Sequence, residues 1–118
     1  MDAAELERRM EREREFWVDV APGKRVKFLR PLMDEAMRFA KGFSMEAVCE
    51  YLRGWEGFTE ADLLKTGTEA PLDFDMGNAA KALRDHLGWT RKIAKAMSQA
   101  ITDRAAATAD AEKNSVTS

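Results

Sequence analysis

The stretch EFWVDVAPGKRVKF, residues 15–28, predicts a β-hairpin near the start of the chain. Pro22 and Gly23 at its centre are typical of a type II turn, because proline presets φ at the first central position and glycine accepts a positive φ at the second. A two-stranded hairpin is at best marginal in water, so it must lie on helices or pair with a strand of another chain. Apolar side chains alternate along both halves and define its buried face: Phe16, Val18, Val20, Val26 and Phe28.

Most of the remaining chain has the apolar spacing of helices. One helix is predicted after Pro31, with apolar positions up to Phe43. A second helix is predicted to begin after Ser44, a typical N-cap, and the residues of its apolar face extend to Trp55. TEAD at 59–62 predicts a short capped helix. Two further apolar patterns, before and after Gly88, predict the last two helices.

These patterns predict a mainly α protein with one N-terminal β-hairpin, of the α+β class. We expect a small helical domain of four or five helices with flexible termini. Residues 1–15 are predicted to be a charged helical arm, because they are dense in Glu and Arg. Residues 16–104 are predicted to be the hairpin-plus-helices domain. Residues 105–118 are predicted to be a disordered polar tail, since Val116 is their only large apolar residue.

Composition favours a soluble protein of one domain. The 118 residues carry 19 Lys and Arg against 21 Asp and Glu, a formal net charge of −2. This balance attracts neither a nucleic acid nor an anionic membrane, and no apolar run approaches the roughly 18 residues of a membrane span. The start of the chain lacks the apolar segment of a secretory signal. Cys49 is the single cysteine, which favours a reducing, cytosolic setting.

No cluster of residues predicts catalysis. The chain has one Cys and one His, Cys49 and His86, so a metal site with several such ligands is not expected. The two could form a nucleophile pair, but no third member is indicated. The carboxylates are scattered, and no glycine-rich phosphate loop is present. We therefore expect no enzymatic activity, no cofactor and no metal.

Binding is the remaining class of function, and the aromatic and Met residues are its candidates. Three Trp and seven Met are a large apolar content for this length, and adaptable Met surfaces suit the binding of varied apolar helices. Packing in the core is the competing interpretation for each of them. The candidate partner-binding residues are Trp17, Val18, Val26, Met33, Met37, Trp55 and Phe58.

The order of these elements resembles that of a known family. FWVDVAPGKRVKFLRPLMDEAM at 16–37 leads through a proline into a helix, and YLRGWEGFTEADLL at 51–64 carries a W-x-G near mid-chain. EAPLDFD at 69–75 then precedes RDHLGWTRKIAKAMSQAITDR at 84–104. Over residues 15–104 the chain resembles the tail assembly chaperones of long-tailed, siphovirus-like bacteriophages. Pro31, Trp55 and Gly57 match as structural landmarks, whereas the Glu/Arg arm lies outside the pattern.

The resemblance implies a non-enzymatic chaperone of the host cytoplasm. It would bind the tape-measure protein and keep it soluble during tail assembly, with the tail-tube protein as a further candidate partner. It also implies self-association as a candidate property, with the hairpin extending a neighbour's sheet. No nucleic acid or membrane is expected as a partner. Two alternatives stay open: a structural neck or tail-completion protein of the virion, and a small regulator that binds nucleic acid through Lys24, Arg25, Lys27 and Arg30.

Overall fold

The computed structural model describes residues 1–117, and the side chains of residues 1–113. Over this range the chain combines α-helices with a three-stranded antiparallel sheet of order β1-β2-β3, which agrees with the predicted α+β class. The elements in chain order are α1 (Ala3–Arg14), β1 (Glu15–Ala21), β2 (Lys24–Leu29), a 3-10 helix (Glu35–Phe39), α2 (Met45–Cys49), β3 (Leu52–Glu56), α3 (Glu60–Leu63), α4 (Met76–Arg84) and α5 (Leu87–Thr117).

The predicted hairpin is confirmed. Strands β1 and β2 pair in the register Val18↔Val26, and both of these side chains are buried. The strands are joined by Pro22 and Gly23, and the φ of Gly23 is 73°, as a type II turn requires. The hairpin lies on helices and pairs with β3 of its own chain, which is how it gains the support that two strands lack.

Strand β3 corrects the prediction of one long helix from Ser44 to Trp55. Helix α2 ends at Cys49, and Leu52–Glu56 pair with β2 instead. The register of that pairing shifts between Lys27 and Phe28, so Leu52 and Trp55, three residues apart, are both buried. Because alternation in a regular strand has a period of two, this irregular spacing looked helical.

The helix predicted after Pro31 is also shorter than expected, since only Glu35–Phe39 form a 3-10 helix. Phe39 is its one buried residue, and its ring stacks on Phe43 with the centroids 5.0 Å apart. Leu32 is 46% exposed. Pro31, Phe39 and Phe43 reach the core, but Leu32, Met33 and Met37 are exposed, so no continuous apolar stripe holds a regular helix.

The two ends of the chain are helical. Helix α1 is capped by the Asp2 carboxylate, which accepts from the Glu5 N–H at 2.8 Å, and it buries no residue. Helix α5 continues to Thr117, where a disordered tail from residue 105 was predicted. Its residues 105–113 are exposed, and alanine, the strongest helix former, occupies many of these positions. Ser118, also part of the predicted tail, lies outside the described residues.

The core lies between the inner face of the sheet and helices α2, α4 and α5. Phe28 of β2 and Leu52 of β3 are buried on the sheet side, and Phe58 follows directly after β3. Leu83 of α4 and Ile93 of α5 are fully buried opposite them. A hydrogen bond also connects the helices to the sheet. The Lys92 Nζ of α5 donates to the Val20 carbonyl of the edge strand β1 at 3.0 Å.

A candidate partner-binding groove

An open groove with a volume of about 880 Å³ lies where β3, α3, the loop 65–75, α4 and the start of α5 meet. Its apolar lining comes from all five of these segments, so the tertiary fold brings them together. The apolar residues that line it are Trp55, Leu63, Leu64, Leu72, Ala82 and Trp89.

Two indole rings of the groove lining, Trp55 and Trp89, pack against further aromatic rings. The Trp55 indole stacks on Phe58 with centroids 4.5 Å apart, and the Phe58 ring meets Trp89 edge-on at 5.5 Å. Phe74 meets the other side of Trp55 edge-on at 6.0 Å. Trp55 also donates from Nε1 to the Leu72 carbonyl at 3.1 Å. Packed on several sides and hydrogen-bonded, Trp55 is a rigid part of the apolar floor of the groove.

His86 lies over Trp89 at the start of α5. The two rings are nearly parallel, at 6°, with centroids 4.0 Å apart. The imidazole Nδ1 accepts a hydrogen bond from the Trp89 backbone N–H at 3.2 Å.

Charged side chains of both signs surround the apolar floor. Asp73, Lys81, Arg84 and Asp85 line the groove, and within the described side chains none of them forms an ion pair. Asp62 differs, because its carboxylate lies 3.4 Å from the Lys24 Nζ. Apolar floors with a few polar groups are typical of binding sites, and the free charges leave the rim able to pair with a bound segment.

The structure separates the seven predicted binding residues into two groups. Trp17, Met33 and Met37 are exposed, by 38%, 37% and 75%. The other four belong to the core, with exposures of 5% or less except for Trp55 at 9%, so in this conformation they offer a partner little or no surface. Those four residues are Val18, Val26, Trp55 and Phe58. Only Trp55 among the seven lines the groove.

Trp17 lies on the outer face of the sheet, away from the groove lining. The Arg25 guanidinium is 4.0 Å from its ring centroid and the Lys27 Nζ is 5.6 Å away, a cation–π arrangement. The basic side chains of the hairpin have acidic partners in the chain: Arg25 with Glu56 at 2.8 Å, Lys27 with Glu15 at 3.9 Å and Lys24 with Asp62 at 3.4 Å.

Sequence reasoning missed Leu64, Leu72, His86 and Trp89 as parts of a site. Leu64 lines the groove and is 59% exposed. Its signal in the sequence is its place beside Leu63 on a very short helix, because two adjacent residues cannot share one helix face. No comparable signal marks the other three, which meet in the groove through packing of distant segments.

The remaining candidate for chemistry is Cys49, which is buried in α2. Burial raises the pKa of its thiol, against a smaller opposing effect of Arg84, and so favours the unreactive protonated form. Among the described residues, no group of three or more His, Cys, Asp or Glu side chains is placed to hold a metal ion.

Comparison of the chain with known protein families, with characterised proteins and with solved structures gave no match. Among the described residues, none of the helices combines the length and the apolar character needed to cross a membrane.

Proposed function

We propose that this chain is a non-enzymatic chaperone that binds an amphipathic helix of another protein and keeps that protein soluble. The groove is the observation that carries the proposal. Its floor is apolar and aromatic, its rim has charges of both signs that form no ion pair with another described side chain, and it is open to solvent. These are the features with which grooves accept amphipathic helices.

A bound helix would use both parts of the groove. Apolar side chains spaced three or four residues apart lie on one helix face, and that face would cover Leu64 and Leu72. Polar residues flanking that face would meet Lys81 and Arg84 or the nearby carboxylates. Covering Leu64, which is 59% exposed, would supply apolar burial at about 25 cal/mol per Å².

The resemblance supplies the specific identity in this proposal. As a phage tail assembly chaperone, the protein would act in the host cytoplasm on the tape-measure protein, a long and largely helical chain. Self-association and contact with the tail-tube protein belong to the same proposal.

The test is co-expression with the tape-measure protein of the same phage, followed by size-exclusion chromatography of the soluble fraction. We expect a soluble complex that is lost in the variant Leu64→Glu. Met37→Glu is the matched control, because Met37 is also exposed and apolar but lies outside the groove lining. A tape-measure protein that stays insoluble with the wild-type chain would contradict the proposal, as would a complex indifferent to Leu64→Glu.

Mass spectrometry of purified virions distinguishes the structural alternative. A chaperone is absent from the finished particle, whereas a neck or tail-completion protein is present at a fixed copy number. Detection of this chain at fixed copy number would replace the proposal by that alternative.

A further inference from the structure

Helix α5 begins with an unusual cap. His86 precedes its first residue, and the His86 carbonyl accepts from the Thr90 N–H at 3.0 Å. The imidazole Nδ1 accepts from the Trp89 N–H at 3.2 Å. These are the two bonds of an N-cap residue, a position normally held by Ser, Thr, Asp or Asn. In α5 the imidazole ring of His86 provides the side-chain acceptor of the N-cap.

We propose that His86 is a pH-sensitive cap that controls the order of the groove wall at the start of α5. A neutral imidazole accepts at Nδ1 only when its proton is on Nε2, and the imidazolium has two donors and no acceptor. A proton taken from solvent onto Nδ1 therefore breaks the bond from the Trp89 N–H. The amide then loses its partner, and the first turn of α5 loosens.

Charged groups of both signs line the groove together with His86. The charged groups in the groove are Asp62 of α3, Asp73 of the loop 65–75, and Lys81, Arg84 and Asp85 of α4 and its end. Among the described side chains, no carboxylate forms an ion pair with the imidazole, and Asp62 is already bonded to Thr59 and paired with Lys24.

Two further effects act on the protonated ring. A positive charge at the N-terminus of a helix is opposed by the helix dipole. The stack on Trp89 acts the other way, because an aromatic face attracts a cation. The stack can hold the ring in place but cannot return an acceptor to the Trp89 N–H, so the hydrogen bond is lost in either case.

Loss of this cap would also affect binding, because of where His86 lies in the groove. His86 and Trp89 both line the groove, so acidification would loosen one of its walls and weaken the hold on a bound helix. This consequence rests on the proposed function, whereas the cap itself does not. The experiment below therefore uses the chain without any partner.

The test measures amide hydrogen exchange of the full-length ¹⁵N-labelled protein by NMR at pH 8 and pH 5. His86 is the only histidine in the chain, so no other imidazole contributes. We expect the protection factor of the Trp89 amide, corrected for intrinsic exchange, to fall by about fivefold to tenfold at pH 5.

The matched variant is His86→Asn, which keeps a side-chain acceptor but has no proton to gain. We expect its Trp89 protection to be equal at the two pH values, and that of His86→Ala to be low at both. An unchanged wild-type protection factor would overturn the proposal, and so would an equal fall in His86→Asn. Neither result depends on whether the groove binds a helix.

Discussion

The Trp55 indole donates a hydrogen bond to the Leu72 carbonyl at 3.1 Å, across 17 residues of sequence. This bond joins strand β3 to the loop 65–75, whose backbone also forms hydrogen bonds with residues 58–64. The loop forms one side of the groove, and the indole forms its floor. The bond therefore connects one side of the groove to its floor.

Replacing Trp55 by a residue without an N–H donor should lower the free energy of unfolding. In Trp55→Phe the ring can keep its stack on Phe58, but the Leu72 carbonyl loses its hydrogen bond. A partly buried carbonyl left without a donor costs about 1–3 kcal/mol. We expect the free energy of unfolding, measured by urea denaturation, to fall by that amount.

Trp17→Phe is the control for the loss of an indole. Trp17 is 38% exposed, and its N–H forms no hydrogen bond within the described part of the chain. Its replacement should weaken only the contacts with Arg25 and Lys27, by about 0.5 kcal/mol. Equal effects of the two substitutions would show that the bond to Leu72 contributes nothing.

The hairpin could be predicted from the sequence and β3 could not, for a physical reason. In β1 and β2 the buried residues alternate regularly, and Pro22 and Gly23 mark the turn. In β3 the buried residues Leu52 and Trp55 are three apart, because the register shifts opposite Phe28. That shift is a property of the pairing between strands, and it leaves no mark in the local sequence.

The groove was harder to predict than the fold. The aromatic content indicated a binding protein, yet most of these rings pack in the core, and Phe58 is an example. Exposure of an apolar residue depends on which segments cover it. Leu64 and Met37 are both exposed apolar residues, and only the assembled structure places Leu64 in a groove and Met37 outside its lining.

Gly57 should tolerate no side chain. Its φ is 84°, a region that residues with a Cβ rarely adopt. A Cβ there would also overlap the Gly23 carbonyl oxygen in the hairpin turn. We expect Gly57→Ala to lower the free energy of unfolding by at least about 2 kcal/mol, measured by thermal or urea denaturation followed by circular dichroism.

Gly77→Ala should raise the free energy of unfolding, whereas Gly57→Ala should lower it. Gly77 lies in the first turn of α4, and the nearest atom to a new Cβ is the Asp75 Oδ2 at 3.5 Å, an ordinary contact. Alanine in a helix gains about 0.5–1 kcal/mol over glycine. If Gly57→Ala were as stable as Gly77→Ala, the close approach of the two turns would be refuted.

The phenol of Tyr51 can be titrated without interference from another tyrosine, because it is the only tyrosine in the chain. Burial is the largest cause that raises the pKa of its phenol, and the hydrogen bond to the Glu35 carboxylate at 3.2 Å adds to it, while Arg38 opposes both. Folding thus favours the neutral phenol. Its contribution to stability is fully present below the ordinary pKa of about 10, and is lost as the pH rises through the raised value.

The measurement is the tyrosinate absorbance between pH 8 and pH 12, with circular dichroism to confirm that the chain stays folded. We expect a midpoint above about 10, and a lower midpoint in Glu35→Gln, which removes the carboxylate charge and retains an oxygen acceptor. Glu69→Gln, at an exposed carboxylate that does not act on Tyr51, should leave the midpoint unchanged. A wild-type midpoint at the ordinary value would mean that the phenol is solvated, and that the 3-10 helix carrying Glu35 does not pack against Tyr51 in solution.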